Sequence, residues 1–225
     1  MSLFKPTGFL TCLVLVASLF LGLSESSTPA RAGGSPGDFD FYVLALSWSP
    51  TYCASRGRNA DPLQCRATKP FRFIVHGLWP QYERGYPDFC RSRQDGLDRG
   101  TVNDMLDIMP SRSLVAHQWR KHGSCSGLDA DEYFDMTRRA FEKIRIPAPF
   151  QSLDRTGRIA PDAVEKAFRI SNPGLRDAAM AVTCSNGTLQ EVRICLDKDL
   201  NFRGCRAVDR SGCRAGKISV PSPAR

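Results

Sequence analysis

The sequence predicts one α+β domain, in which a central, mostly antiparallel β-sheet is flanked by helices and stapled by four disulfide bonds. An apolar run at residues 41–46 and a segment at 189–196 that follows a hairpin signal have the length of β-strands. Residues 129–146 repeat apolar side chains at the 3.6-residue period of an amphipathic helix. Eight cysteines follow residue 32, and this even number suits disulfide pairing in an exported chain.

Residues 1–32 have the pattern of a secretory signal peptide. Lys5 precedes an apolar run over residues 9–23, and a polar stretch then leads to the cleavage-type sequence Ala30-Arg31-Ala32. The alternative is a membrane anchor, but this run is shorter than the ~20 apolar residues that span a bilayer. We therefore expect cleavage after Ala32, a domain over residues 33–225, no membrane anchor after processing, and a secreted or periplasmic monomer.

The domain is basic, with 29 lysines and arginines against 22 acidic residues after residue 32. A positive surface attracts polyanions such as nucleic acid, heparin-like glycans or anionic lipid. The charge therefore favours a polyanionic partner but does not distinguish nucleic acid from a glycan or a lipid.

The cysteines favour disulfides over a metal cluster. No two of them are separated by two residues, which is the usual spacing of a zinc site. The eight are Cys53, Cys65, Cys90, Cys125, Cys184, Cys195, Cys205 and Cys213.

The domain begins with a lead-in over residues 33–37, which is rich in glycine. The continuous apolar run at 41–46 predicts a central strand that is buried on both faces. Residues 55–69 are polar and rich in arginine, and Cys53 and Cys65 bracket most of this stretch. We expect a disulfide-stapled loop there.

Residues 71–75 predict a second strand, which ends at His76 just before the turn residue Gly77. Residues 81–99 are rich in Gly, Pro, Asp and Arg and predict a surface loop. A weak helix is expected over residues 102–109.

Ser111 or Ser113 can cap the next helix, which runs through residues 114–122 and stops at Gly123. The clearest helix, over 129–146, is ended by Pro147.

Pro161 suits the first turn of a further helix. Strands are predicted at 179–184 and 189–196 on either side of Asn186-Gly187, a strong hairpin signal. Residues 214–225 have the composition of a loose basic tail.

The chain has three histidines, and all of them lie in two short segments, at positions 76, 117 and 122. Histidine alone has an unperturbed pKa that suits proton transfer near neutrality. On a helix, His117, Gln118, Lys121 and His122 span about 140° of one face, whereas Trp119 points to the core. This polar face either lines a cleft or is simply solvated.

A strand end at His76 opposite this helix face can hold one phosphate between two imidazoles. RNA transesterification needs that arrangement, because one group deprotonates the 2′-hydroxyl, another protonates the departing 5′-oxygen, and a cation stabilises the added charge. We expect no metal and no cofactor. His117 and His122 point about 140° apart on a helix, unlike a shared zinc face, and Lys121 would repel a cation.

Two segments resemble the active-site segments of secreted ribonucleases of the T2 family. They are His76-Gly77-Leu78-Trp79-Pro80 and the run from His117 to Cys125, with Trp119, Lys121, His122 and Gly123 in place. Residues 42–50 also resemble the first strand of that family. The resemblance implies an endoribonuclease that converts single-stranded RNA to 2′,3′-cyclic phosphates and then 3′-phosphates, with low base specificity.

The resemblance also implies a role for each site residue. His76 would be the general acid, His122 the general base, His117 a phosphate ligand and Lys121 the stabiliser of the transition state. Trp79 would stack on a base, together with either Tyr82 or Tyr86. The implied disulfides are Cys53–Cys65, Cys90–Cys125 and Cys195–Cys205, the last nested inside Cys184–Cys213.

The chain departs from many of these relatives at two positions, with Gln118 in place of a glutamate and Ser47 in place of a glutamine. A carboxylate one turn from His122 would raise its pKa, whereas Lys121 lowers it. We expect a less acidic pH optimum than in the relatives that carry the glutamate. Two other functions are possible for this sequence: a non-catalytic RNA binder on the same fold, and a metal-dependent phosphodiesterase.

Overall fold

The computed structural model describes Met1, residues 34–91 and residues 96–223. Apart from Met1, the predicted signal peptide and its cleavage site lie outside the described residues, as does the start of the lead-in. The strands are β1 (Phe41–Trp48), β2 (Phe73–Gln81), β3 (Gly157–Ile159), β4 (Met180–Ser185), β5 (Thr188–Leu196) and β6 (Ile218–Val220).

Eight α-helices accompany these strands in the described part of the chain. They are α1 (Ser49–Arg56), α2 (Pro62–Cys65), α3 (Arg99–Asp104), α4 (Arg112–Lys121), α5 (Ala130–Glu142), α6 (Ala148–Gln151), α7 (Pro161–Ser171) and α8 (Arg206–Asp209). The fold is therefore α+β, as predicted. None of the described helices has both the length and the apolar character needed to cross a membrane.

The six strands form one sheet with the order β2-β1-β5-β6-β3, and β4 also pairs with β5. All pairs are antiparallel except β5–β6, which are parallel where Thr188 faces Ser219. The mostly antiparallel sheet is confirmed.

Strand β1 is central and buried along both faces, as its apolar run predicts. Because side chains alternate across a strand, Leu44 and Leu46 enter the main core, while Phe41 and Val43 enter a smaller cluster on the other face. Trp79 packs against this second cluster.

Strand β2 does not end at His76, so that prediction was wrong. Gly77 pairs with Ala45, and Val75 pairs with Leu46, which leaves His76 as the extra residue of a β-bulge. Gly77 therefore lies inside the strand instead of starting a turn. The bulge changes the direction of the His76 side chain while the apolar pairing continues on both sides.

The cap of α4 is Ser111, whose hydroxyl accepts a hydrogen bond from the Leu114 N–H. The helix ends at Lys121, and His122 occupies its C-cap. Helix α5 begins with a capping box between Asp129 and Glu132, and it ends at Glu142, earlier than predicted.

Helix α3 also differs from its predicted span of 102–109. It starts at Arg99 because the Asp98 carboxylate caps the Thr101 N–H, and it ends at Asp104. Residues 105–109 continue as turns instead.

The predicted loop over residues 55–69 is partly helical, which corrects the sequence analysis. Helix α1 extends into it as far as Arg56, a short 3-10 helix follows, and α2 ends at Cys65. Pro62 occupies the first turn of α2, and the Asp61 carboxylate accepts the Leu63 N–H, so local capping forms the helix despite the polar composition.

The predicted loose tail also proved wrong for its described part. Residues 218–220 form β6, which pairs with β3, a strand that the sequence analysis missed. Ile218 and Val220 are buried, and the carbonyl of Pro221 accepts a 2.9 Å hydrogen bond from the indole N–H of Trp48. Burial of two apolar side chains explains why a basic segment is ordered.

The hairpin at Asn186-Gly187 and the four disulfides are confirmed. Both turn residues have positive φ angles, as a tight hairpin turn requires. The bonded pairs are Cys53–Cys65, Cys90–Cys125, Cys184–Cys213 and Cys195–Cys205.

Candidate active site

The candidate site lies where the edge strand β2 meets helix α4. The indole N–H of Trp79 on β2 donates a 2.7 Å hydrogen bond to the side-chain oxygen of Gln118 on α4. Gly77 is necessary for this contact, because a Cβ atom at that position would overlap both the Gln118 side chain and the Trp79 indole. Strand and helix are therefore fixed to each other at the indole.

The fold places His76 and His122 on this indole, and His117 lies near His76. The ring centroid of His76 lies 5.2 Å from that of Trp79, in an edge-on arrangement, and the ring centroid of His122 lies 5.3 Å from it at an interplanar angle of 30°. His117 lines a cleft of about 700 Å³ together with His76. The predicted convergence of strand and helix residues is thus present, although His76 arrives from a bulge and not from a strand end.

His122 is buried, with only 6% of its surface exposed. Burial is the main cause that lowers its pKa to about 3, and the charges of Lys121, His76 and His117 act in the same direction. Its Nδ1 atom is buried and has no hydrogen-bond partner among the described residues. At neutral pH, His122 is therefore an uncharged imidazole that can accept a proton.

His76 has the opposite surroundings. Its Nδ1 atom lies 2.5 Å from Oε1 of Glu191, a buried carboxylate on β5. Burial alone would raise the pKa of Glu191, but the hydrogen bond and charge of His76, together with Arg193, lower it to about 2. The contact with this carboxylate fixes Nδ1 of His76 and leaves Nε2 as the ring nitrogen that can serve a substrate.

Sequence reasoning missed Glu191. His76 and Glu191 are 115 positions apart in the chain, and no local pattern reports a contact of that kind. One signal was available: an acidic residue lies inside the predicted strand 189–196, and burial there would require a partner for its charge.

The polar face of α4 is only partly open. His117 is exposed at the surface. Partial loss of solvent around its ring is the main cause that lowers its pKa, followed by the charges of Lys121, Arg120 and His76. Gln118 is buried and turned towards Trp79, so it supports the site from within and does not form its open surface. Trp119 is buried in the core, as predicted.

Of the two candidate tyrosines, Tyr86 is the one beside the histidines. Its ring is 6.1 Å from that of His122, and the Lys121 ammonium lies 5.7 Å from its centroid. Tyr86 is 48% exposed, whereas Tyr82 is half-buried and packs against the main core. The structure thus brings Tyr86 to the site, while Tyr82 packs against the main core.

Together these groups comprise a neutral imidazole, an imidazole paired with a carboxylate, and a lysine. A site of this kind can accept one proton, donate another and stabilise negative charge. Within residues 34–91 and 96–223, no three His, Cys, Asp or Glu side chains converge in the manner of a metal site.

Comparison with known proteins identifies relatives over most of the chain. A sequence model of the ribonuclease T2 family matches residues 39–205. A ribonuclease from Aeromonas hydrophila is 34% identical over 177 residues, covering 77% of this chain and 79% of that protein. Ribonuclease I of Escherichia coli K12 is 29% identical over 228 residues, covering 82% and 85%.

Among solved structures, RNase NT in complex with 5′-AMP is similar, with a TM-score of 0.63 and 26% identity. The similarity covers 82% of this chain and 99% of that one.

Proposed function

The chain belongs to the ribonuclease T2 family and is a ribonuclease, and on that premise we propose that it cleaves single-stranded RNA by internal transesterification. Attack by the 2′-hydroxyl gives a 2′,3′-cyclic phosphate, which water then opens to a 3′-phosphate. The observation that carries this proposal is the pair of imidazoles beside Trp79, one buried and neutral and the other bound to a carboxylate.

In the first step, His122 removes the proton of the 2′-hydroxyl. A general base must be unprotonated before it acts, and the low pKa of His122 satisfies that condition at neutral pH. The freed oxygen attacks phosphorus in line with the departing 5′-oxygen.

His76 donates a proton to the departing 5′-oxygen, and the roles of the two imidazoles reverse when water opens the cyclic product. Lys121 stabilises the additional negative charge of the pentacoordinate phosphorus, and His117 binds a non-bridging phosphate oxygen. The nucleophile belongs to the substrate, so we propose that the reaction needs no metal.

We further propose that Trp79 and Tyr86 form the base site. Trp79 is the inner wall, and Tyr86 is the exposed platform at the mouth of the site. Stacking is worth ~1–3 kcal/mol per base and tolerates every base, which supports low base specificity. Gln118 holds the Trp79 wall in place through its hydrogen bond.

The four disulfides indicate an oxidising compartment. With the leader-like residues 1–32, they support a secreted or periplasmic enzyme. That the enzyme acts as a monomer stays a prediction from the sequence.

The test is incubation of the mature protein with the dinucleoside phosphate CpA in EDTA, followed by analysis of the products. We expect cytidine 2′,3′-cyclic phosphate first and cytidine 3′-phosphate later. A requirement for added zinc or magnesium would overturn the metal-free mechanism. Binding of RNA without cleavage under either condition would indicate a non-catalytic binder, and cleavage of DNA, which lacks the 2′-hydroxyl, would contradict the proposed nucleophile.

A further inference from the structure

Glu191 is an ionised carboxylate inside the sheet, and all of its hydrogen-bonding capacity is used. Oε1 accepts from Ser47 Oγ at 3.1 Å and contacts His76 Nδ1 at 2.5 Å, while Oε2 accepts from two nitrogens of Arg193 at 2.9 and 2.8 Å. A carboxylate offers about four acceptor positions, and here protein donors occupy them. Glu191 is therefore not free to contact substrate.

Three strands build this contact. Glu191 on β5 faces Ser47 on β1 in the antiparallel register, and His76 reaches it from β2, on the far side of β1. The contact between His76 and Glu191 crosses β1 next to Ala45, which has a small side chain and pairs with both Gly77 and Arg193. The β-bulge at His76 lies at the same place.

We infer that Glu191 is a positioning residue for the general acid: it holds the Nδ1–H of His76 and so directs the Nε2–H towards the departing 5′-oxygen. The inference rests on the proposed function. It follows from the geometry because an imidazole whose Nδ1 donates to a fixed carboxylate has only Nε2 left to serve the substrate.

The charge of Glu191 matters as well as its position. The other ionisable groups that face or influence His76 are Arg193 on β5, His117 on α4 and His122 at the C-cap of α4, with Lys121 beside it. All of these are cationic or become so on protonation. Among the described residues that line the cleft with His76, Glu191 is the carboxylate, and its negative charge offsets these positive neighbours.

Two substrates distinguish this role from a structural one. The 5′-oxygen of CpA leaves only with a proton, whereas the nitrophenolate of uridine 3′-(4-nitrophenyl phosphate) leaves as a stable anion and needs no general acid. For Glu191→Gln we expect a loss of about 10–100-fold in kcat/KM on CpA, below the ~10²–10⁴ of a complete general acid. We expect a change of less than about 3-fold on the aryl ester.

The matched control is Glu165→Gln on α7, where another partly buried carboxylate accepts a backbone N–H, that of Val182. This control should leave the kinetics on both substrates unchanged.

Equal losses on the two substrates, or no loss on either, would overturn the inference. If Glu191→Gln does not fold, ¹⁵N NMR of the wild-type protein tests the same contact. We expect a hydrogen-bonded Nδ1–H on His76 between pH 5 and 8, and an Nδ1 without a proton would overturn the inference. Failure of the proposed function is distinguishable, because the wild-type protein would then not cleave CpA.

Discussion

His122 and His76 contact the same indole, but the groups around them differ in charge. Burial and neighbouring positive charge keep His122 neutral, whereas His76 faces an ionised carboxylate. A general base and a general acid can thus be obtained from the same type of side chain, because the surroundings decide which form is present.

Replacing His122 tests the assignment of the base. We expect His122→Phe to lower kcat by ~10²–10⁴-fold while the fold is kept, because an aromatic ring can occupy the buried space beside Trp79 and Tyr86. Steady-state kinetics on CpA and circular dichroism are the measurements. A His122→Phe enzyme that kept most of its turnover would contradict the assignment of His122 as the base. His117→Ala, at an exposed position, should mainly raise KM.

The pKa of His122 changes our sequence-based expectation for pH dependence. Between the ordinary value of 6.5 and the shifted value of about 3, His122 remains unprotonated in the folded enzyme. As pH falls, the base therefore stays active well below 6.5, so the acidic limb of kcat/KM should lie well below pH 6.5. From Gln118 we had expected a less acidic optimum than in the relatives that carry the glutamate, and a low pKa of the base acts in the other direction. A wild-type limb near pH 6.5 in CpA kinetics would contradict this argument.

Gln118→Glu tests the same argument with the opposite sign. A carboxylate one helical turn from His122 favours the protonated imidazole and raises its pKa, so the acidic limb should move to higher pH. Gln151→Glu, at an exposed position on α6, is the control and should leave the limb in place. If the limb does not move in Gln118→Glu, the acidic limb does not report the protonation of His122.

Which site residues could be found from the sequence depended on how local their signals are. His117, Gln118, Lys121 and His122 belong to one segment, so helical spacing alone placed them together. Glu191 required knowledge of which strands pair and in which register, and that information is tertiary.

At the scale of elements, the bulge in β2 and the close packing of Gly77 set the distance between the strand and α4. We expect Gly77→Ala to lower the free energy of unfolding by about 1–3 kcal/mol, as overpacking typically does, and to reduce kcat/KM, because the added Cβ displaces Gln118 and Trp79. Denaturant unfolding and CpA kinetics are the measurements.

The control for this substitution is Gly216→Ala, where an added Cβ meets no atom within 4 Å. It should change neither stability nor activity. Equal behaviour of the two variants would mean that the contact between Gly77 and Gln118 does not constrain the site.

Helices and hairpins that carry their own capping or turn residues could be predicted from the sequence. Elements that form only against distant parts of the chain could not. Ser111 for α4, Asp129 for α5 and the Asn186-Gly187 turn of the hairpin signalled their elements locally. Strand β6 is three residues long, and it forms because it pairs with β3 on one side and β5 on the other. No sequence window around residues 218–220 contains that information.

At the scale of the whole molecule, two disulfides connect to the surroundings of the site. Cys90–Cys125 joins the loop that carries Tyr86 to the short 3-10 helix that follows His122. Cys195 and Cys205 lie in the small apolar cluster against which Trp79 packs. The covalent framework therefore holds the surroundings of the indole as well as the fold.

Removal of Cys90–Cys125 should affect catalysis as well as stability. The bond closes 35 residues, and Cys184–Cys213 closes a similar 29, so chain entropy predicts a loss of about 3–4 kcal/mol for either double substitution to alanine. Only Cys90→Ala/Cys125→Ala removes the covalent link between the Tyr86 loop and the end of α4, and leaves the hydrogen bond from the Phe89 N–H to the Lys121 carbonyl to hold the loop there. Only this variant should therefore raise KM for CpA. Denaturant unfolding measures the loss of stability, and steady-state kinetics on CpA measures KM. If Cys184→Ala/Cys213→Ala raises KM equally, the change in KM results from lost stability and not from the position of the bond.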